Sequence, residues 1–128
     1  ASLDVPFFTI VLRKGYGLGA QAMTAGHFHA PLFTVAWPTG EFGAMGLEGA
    51  VRLGFRKELE AEPEGAQRDA LFRKLVDEQY ANGAAIRMAE TLEIDAVIDP
   101  ADTRAWLVRG LASATHAGDP STSFVDTW

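Results

Sequence analysis

The chain has 128 residues, 48% hydrophobic and 22% charged, with no cysteine and a formal net charge of −6, which is one domain's worth of ordinary globular sequence. The acidic balance argues against a nucleic-acid backbone as the main partner, and the lack of thiols excludes a disulfide scaffold or thiolate metal site and suits a reducing, cytoplasmic setting. No stretch nears the roughly 18–20 apolar residues of a membrane helix, and Asp4 and Pro6 interrupt any apolar leader at the start.

Phe7-Phe8-Thr9-Ile10-Val11-Leu12 is an apolar, β-branched run without helical spacing, and it predicts a buried strand. Arg13-Lys14 ends it. Gly15, Tyr16, Gly17, Leu18 and Gly19 follow, three glycines at every second position, which predict a sharp turn that brings the backbone close to a ligand. Ala20 to Met23 then predicts a short helix, closed by about Ala25 because Gly26 and Pro31 follow.

Leu32 to Trp37 reads as a second strand, stopped by Pro38-Thr39-Gly40, and Glu41 to Gly46 as a short strand or loop. Glu48 to Leu59 predicts one helix with Val51, Phe55 and Leu59 on a single face. Gln67 to Asn82 predicts the clearest helix, with Leu71, Phe72, Leu75, Val76 and Tyr80 spaced at three and four. A short helix over Ala84–Leu92 and a short strand over Ile94–Ile98 come next. Asp99-Pro100-Ala101-Asp102 opens the last helix, with Asp99 as N-cap, Pro100 as first residue and Asp102 as a further capping carboxylate. Its apolar side runs to about Ala114, and residues 116–128 read as a polar tail, frayed or laid on a partner. A strand so close to the first residue, with few strands to flank it, predicts a piece of something larger or a chain that needs a partner.

Three readings of the glycine segment stand side by side. Gly15-x-Gly17-x-x-Ala20 satisfies a dinucleotide fingerprint, but about eight residues before Gly26 are few for a crossover helix. A tight turn without a ligand is the second. The third is a pair of backbone N–H donors at a strand-to-helix junction, an oxyanion hole.

Other polar residues point less sharply. His27 and His29 at i, i+2 lack carboxylate or thiol support and read as surface loop rather than metal ligands. Glu48 suits a helix N-terminus, and Glu41 reads as structural. Arg52, Arg56 and Lys57 read as a solvated helix face rather than a phosphate site, and Met23 and Met45 as core.

Several motifs in register resemble the carboxyltransferase (beta) subunit of biotin-dependent acyl-CoA carboxylases, of the acetyl- or propionyl-CoA type. They are Arg13-Lys14-Gly15-Tyr16-Gly17-Leu18-Gly19 after the strand, Ala36-Trp37-Pro38-Thr39-Gly40-Glu41, and Met45-Gly46-Leu47-Glu48-Gly49-Ala50-Val51. Arg56-Lys57-Glu58-Leu59, Tyr80-Ala81-Asn82 and Val97-Ile98-Asp99-Pro100-Ala101-Asp102-Thr103-Arg104 continue the series. The resemblance spans about residues 5–112.

The resemblance implies an α/β crotonase-like fold, a ββα superhelix. Residues 3–115 would form the later part of the second carboxyltransferase domain, with residues 116–128 as tail. It implies transfer of a carboxyl group from carboxybiotin to acetyl-CoA or propionyl-CoA, with the N–H groups of Leu18 and Gly19 as oxyanion hole and Tyr16, Gly17, Leu18 and Gly19 contacting biotin. Many members carry Gly-Gly-Ala where this chain has Gly17-Leu18-Gly19, a change that leaves the main-chain donors in place.

No lysine lies in the Ala-Met-Lys-Met setting that carries biotin, so the cofactor would arrive on a separate carrier protein and no metal is called for. Implied partners are a biotin carboxylase or biotin carrier subunit, the N-terminal carboxyltransferase domain of another subunit, and further copies in a hexamer. Neither nucleic acid nor membrane is expected, and the setting would be bacterial cytoplasm, or the mitochondrion in a eukaryote. The rival readings are a non-catalytic assembly module of such a complex and, behind it, a dinucleotide-binding fragment.

Overall fold

The computed structural model describes residues 5–114, and the tail expected over 116–128 lies outside them. Among the described residues five short strands and six helices follow one another: β1 (Phe8–Val11), β2 (Lys14–Tyr16), α1 (Gly17–Met23), β3 (Phe33–Ala36), β4 (Glu41–Gly43), α2 (Leu47–Gly54), α3 (Arg56–Ala61), α4 (Ala66–Asn82), α5 (Ala85–Glu90), β5 (Ala96–Val97) and α6 (Thr103–Ser113). A single 3₁₀ turn, Pro100–Asp102, leads into α6.

Two successive ββα units, β1-β2-α1 and β3-β4-α2, stack in parallel. β1 pairs with β3 from Phe8↔Phe33 to Val11↔Ala36, and β2 pairs with β4 from Lys14↔Glu41 to Tyr16↔Gly43. β5 adds to the far side of β3, so one sheet runs β1-β3-β5 and the other β2-β4. Each ββα turn thus contributes one strand to each sheet, the superhelical repeat that the motifs implied.

All four residues of β3 are buried, as the middle strand of a parallel sheet requires. Side chains alternate across it. Phe33 and Val35 meet Ile98 with Phe8, Ile10, Trp106 and Leu107 packed around them, while Ala36 joins Val11, Phe42, Ala85 and Ile94 on the other side. Trp106 meets Phe33 edge-on at 5.5 Å between centroids, and the Trp37 indole N–H donates to Thr103 Oγ1 at 3.0 Å. These contacts seat α6 on the sheet. A third cluster joins α2 and α4 through Val51, Leu75 and Val76, and Arg52 lies 4.5 Å from the centre of the Phe72 ring.

Several expectations change. The first strand covers four residues rather than six, and only Val11 is buried, because β1 stands at an edge of the described sheet. Lys14-Gly15-Tyr16 is a strand and not part of a turn; parallel pairing with β4 imposes extension on residues whose composition does not ask for it. The helix expected over Glu48–Leu59 breaks at Phe55, which has φ −109° and ψ 26°, just after Gly54, the weakest helix former in the segment. Its apolar face survives the break, since Val51, Phe55 and Leu59 still share one cluster.

Met23 and Met45 are not core: they are 75% and 43% exposed, Met23 as the last residue of α1 and Met45 in the loop between β4 and α2, with no second layer packed over them among the described residues. Asp99 caps as expected, its Oδ1 accepting from the Ala101 N–H at 2.8 Å. Asp102 makes no side-chain cap bond, because the 3₁₀ turn places it in helical backbone with φ −83° and ψ −7°. Gly83 ends α4 with φ −86°; its role is proximity, because a Cβ there would run into the Phe42 carbonyl oxygen, and the Phe42 N–H donates to the Gly83 carbonyl at 2.7 Å.

Candidate active site

Of the three glycines in the N-terminal motif, one bends the chain. Gly15 lies inside β2 and Gly19 inside α1 with open space where a Cβ would stand, whereas Gly17 has φ +55°. A Cβ on Gly17 would also sit 2.6 Å from the Ala44 carbonyl oxygen, in the loop between β4 and α2. The turn from strand to helix is therefore made at one residue. Helix α1 begins there with Tyr16 as its N-cap residue, in extended backbone and without a side-chain cap bond.

Leu18 and Gly19 fall in the first turn of α1, where backbone N–H groups have no acceptor within the helix. Leu18 is 82% exposed, and among the described residues no atom lies within 4 Å of where a Cβ on Gly19 would stand. The helix ends at Thr24, whose hydroxyl donates back to the Ala20 carbonyl at 3.0 Å, and Ala25 and Gly26 then turn the chain with φ 56° and 120°. Seven residues of helix before that reversal do not make the full crossover helix of a dinucleotide unit.

Beside this junction lies an open groove of about 840 Å³. Its walls are the free side of β1, the run Arg13–Tyr16, Gly19, Ala20 and Met23 of α1, and Thr24 just after it, with Phe28 at one end. The sequence-predicted residues Tyr16 and Gly19 both line it. Thr9 Oγ1, on β1 in the same wall, is buried without a hydrogen-bond partner among the described residues.

Two hydrogen bonds that the sequence did not reveal converge near the junction. The Tyr16 hydroxyl donates to Glu41 Oε2 at 2.7 Å, joining β2 to β4 over 25 positions of sequence. The Tyr80 hydroxyl donates to Glu48 Oε1 at 2.8 Å, joining α4 to the first turn of α2. Burial, then the bond to Glu41 and its charge, push the Tyr16 phenol well above its ordinary range. The Tyr80 phenol is raised first by its bond to Glu48. Glu48 moves the other way: its own backbone N–H and then the Tyr80 hydroxyl hold its carboxyl below the usual value.

His27 and His29 lie on an exposed turn, ring centres 6.3 Å apart. Arg56 pairs with Glu60 at 2.7 Å. What the junction offers is main-chain N–H donors at the edge of a groove. A donor set of this kind stabilises negative charge on an oxygen.

The comparisons with known proteins show the family. A family model described as carboxyl transferase domain matches residues 1–123. The chain belongs to this family. The propionyl-CoA carboxylase carboxyltransferase subunit of Haloferax mediterranei is 39% identical over 108 residues, covering 84% of this chain and 20% of the relative. The methylmalonyl-CoA carboxyltransferase 12S subunit of Propionibacterium freudenreichii subsp. shermanii is 40% identical over 111 residues, 86% of this chain and 20% of the relative.

Among solved structures, a single-chain, multi-domain long-chain acyl-CoA carboxylase is 57% identical, with a TM-score of 0.68 over 82% of this chain and 10% of that one. The hexameric transcarboxylase 12S core is 35% identical, with a TM-score of 0.74 over 85% of this chain and 20% of that one. The fold is the crotonase-like one of carboxyltransferase domains. The chain spans about a fifth of the length of the curated relatives it matches.

Proposed function

We propose that this segment forms the carboxybiotin half-site of a biotin-dependent acyl-CoA carboxyltransferase, with the N–H groups of Leu18 and Gly19 as the oxyanion hole. The observation that carries the reading is the strand-to-helix turn at Gly17, φ +55°, which leaves those two N–H groups in an open first turn beside the groove.

The residues present suit a ureido group. They offer neutral main-chain donors, no metal is needed, and among the described residues nothing stands within 4 Å of where a Cβ on Gly19 would be. Biotin brings the carboxyl group and, once that has left, a ring nitrogen able to take the α-proton of a thioester. The chain's own contribution is electrostatic. Leu18 and Gly19 hold a developing negative charge on oxygen, and each such donor is worth about 2.7–4 kcal/mol when removed from a preorganised hole. Gly17 aims them, and its neighbour Tyr16 presents a ring at the groove wall. No titratable base is asked of the junction.

The partners follow from the same reading. A biotin carrier supplies the cofactor, in keeping with relatives named as biotin-dependent carboxylases. The N-terminal carboxyltransferase domain of another subunit supplies the CoA half-site, within an oligomer of the hexameric kind described for the transcarboxylase 12S core.

Two classes of acyl chain are open to it. Acetyl- or propionyl-CoA accords with relatives named as propionyl-CoA carboxylases at 30–39% identity. A long-chain acyl-CoA is favoured by the 57% identity to a long-chain acyl-CoA carboxylase. The complete enzyme, assayed with propionyl-CoA and palmitoyl-CoA in turn, separates the two by the ratio of kcat/KM. The half-site itself is tested by Gly19→Val, which should abolish turnover without unfolding the protein; turnover at the wild-type rate would refute it.

A further inference from the structure

The donors of the half-site need something to aim them, and α1 by itself supplies little. Its N-cap residue, Tyr16, makes no side-chain cap bond. The strand that delivers Tyr16 is three residues long and pairs only with the equally short β4 among the described residues. A ladder so short tolerates rotation of its last residue unless a side chain stops it.

We propose that Tyr16 and Glu41 are a positioning pair, whose hydroxyl–carboxylate bond fixes the direction in which the backbone after Tyr16 presents the Leu18 and Gly19 N–H groups. The inference deepens the half-site reading and rests on it. The pair ties the last residue of β2 to the first residue of β4, because the register sets Tyr16 opposite Gly43 and Lys14 opposite Glu41. The phenol leans back along the ladder by two positions to reach Glu41 Oε2 at 2.7 Å.

A Cβ on Gly43, opposite Tyr16, would be at ordinary contact distance on the phenol's side, 3.7 Å from Tyr16 Cδ1, and tight against Leu47, 2.8 Å from its Cδ2. On the other side of the turn, the Ala44 carbonyl leaves no space beside Gly17 for more than a hydrogen. Residues 16 and 17 are thus held from two directions, by a side-chain bond before the helix and by steric contact at its first residue. A bond from a neutral donor to a carboxylate is roughly twice as strong as one between neutral groups, so it suits a residue that must not rotate. Burial and the Glu41 charge keep the phenol protonated, hence a donor, across the working pH range.

The test uses the complete carboxylase with its carrier protein and three variants, Tyr16→Phe, Glu41→Ala and Glu41→Gln. Tyr16→Phe and Glu41→Ala should lower kcat roughly ten- to a hundredfold, the loss expected from a small misplacement of a catalytic group. The KM for acyl-CoA and the melting temperature should stay near wild type. Glu41→Gln keeps an acceptor for the phenol and should restore most of the rate.

Wild-type kcat in Tyr16→Phe, or equal impairment in Glu41→Gln and Glu41→Ala, overturns the proposal. So does loss of folding in both Tyr16→Phe and Glu41→Ala, which would make the pair a structural tie alone. Gly19→Val separates this failure from that of the underlying reading. An active Gly19→Val enzyme refutes the half-site, whereas an inactive Gly19→Val enzyme beside a fully active Tyr16→Phe enzyme refutes only the pair.

Discussion

Gly17 and the Ala44 carbonyl oxygen meet so closely that no side chain fits between them: a Cβ on Gly17 would lie 2.6 Å from that oxygen. The same glycine holds φ +55°, where an L-residue pays about 1–2 kcal/mol before any contact is counted. Backbone, unlike a flexible side chain, cannot move aside cheaply. Gly17→Ala should therefore cost at least ~2 kcal/mol, because strain and overpacking act together. Denaturant unfolding of the two proteins checks this, and an unchanged midpoint would contradict it.

Gly110 presents a contest between two effects. Alanine in a helix interior is better than glycine by about 0.8–1 kcal/mol. A Cβ at Gly110, however, would come within 2.6 Å of Phe33 Cε1 and 2.7 Å of Phe8 Cε1, and those rings already stack at 4.8 Å between centroids. Overpacking a settled core costs about 1–3 kcal/mol, so the contact should win. Gly110→Ala is expected to destabilise by ~1 kcal/mol net, read as a lower denaturation midpoint. A rise in stability would mean that the rings shift freely.

The parts of this fold that were legible in the sequence are those whose burial is decided locally. Phe33–Ala36 reads as a strand because every residue of it is apolar or β-branched, and every one is buried. The long helix is legible from Leu71, Phe72, Leu75, Val76 and Tyr80, and these residues pack on Val51 or around it. β2 was not legible, because Lys14, Gly15 and Tyr16 carry no strand signal and are extended only through a partner 27 residues away.

Met23 and Met45 fail for the converse reason. Their apolarity suggests a core, but burial depends on what packs over them, and sequence spacing does not show that. In the site, the motif located the junction correctly but shared the bend among three glycines, while the backbone bends at Gly17 alone. The Tyr16–Glu41 and Tyr80–Glu48 bonds span 25 and 32 positions, and no local pattern announces such pairs.

The Tyr80–Glu48 bond should shape stability at both ends of the pH scale. Glu48 has a folded pKa below its ordinary 4.5. Its contribution is therefore present above about pH 4.5 and lost as pH falls through the folded value. Tyr80 has a folded pKa above its ordinary 10.0. Its contribution is present below about pH 10 and lost as pH rises through the folded value. Tyr80→Phe removes the alkaline dependence and only the Tyr80 share of the acidic one, because the backbone N–H that lowers Glu48 first remains. Its melting temperature should therefore trail wild type most between those limits and approach it beyond them. Two parallel curves from pH 3 to 11 would show that the bond is absent in solution.

The last prediction separates backbone from side chain in the junction. Leu18 is largely exposed, so Leu18→Ala removes a side chain that supports no core and keeps the N–H assigned to the proposed half-site. Turnover in the complete enzyme should fall only slightly. Gly19 differs from Gly17 in the respect that matters: its φ is not in the left-handed region, and nothing stands within 4 Å of where a Cβ would be. Gly19→Val should accordingly fold and melt like wild type, because neither strain nor a clash opposes it.

If a ureido oxygen docks against this turn, however, the branched side chain stands where the ligand must come. The N–H remains, but its access does not. Losing one donor of an oxyanion hole costs about a hundred- to a thousandfold in turnover, and blocking approach to it should cost at least as much as the lower figure. Acyl-CoA affinity should hardly change, because that half-site is expected on another subunit. Turnover, acyl-CoA binding and circular dichroism measured on the same preparation decide the matter. A folded Gly19→Val enzyme that binds acyl-CoA but no longer turns over places the chemistry at this turn; one that turns over normally leaves the turn with a structural role only.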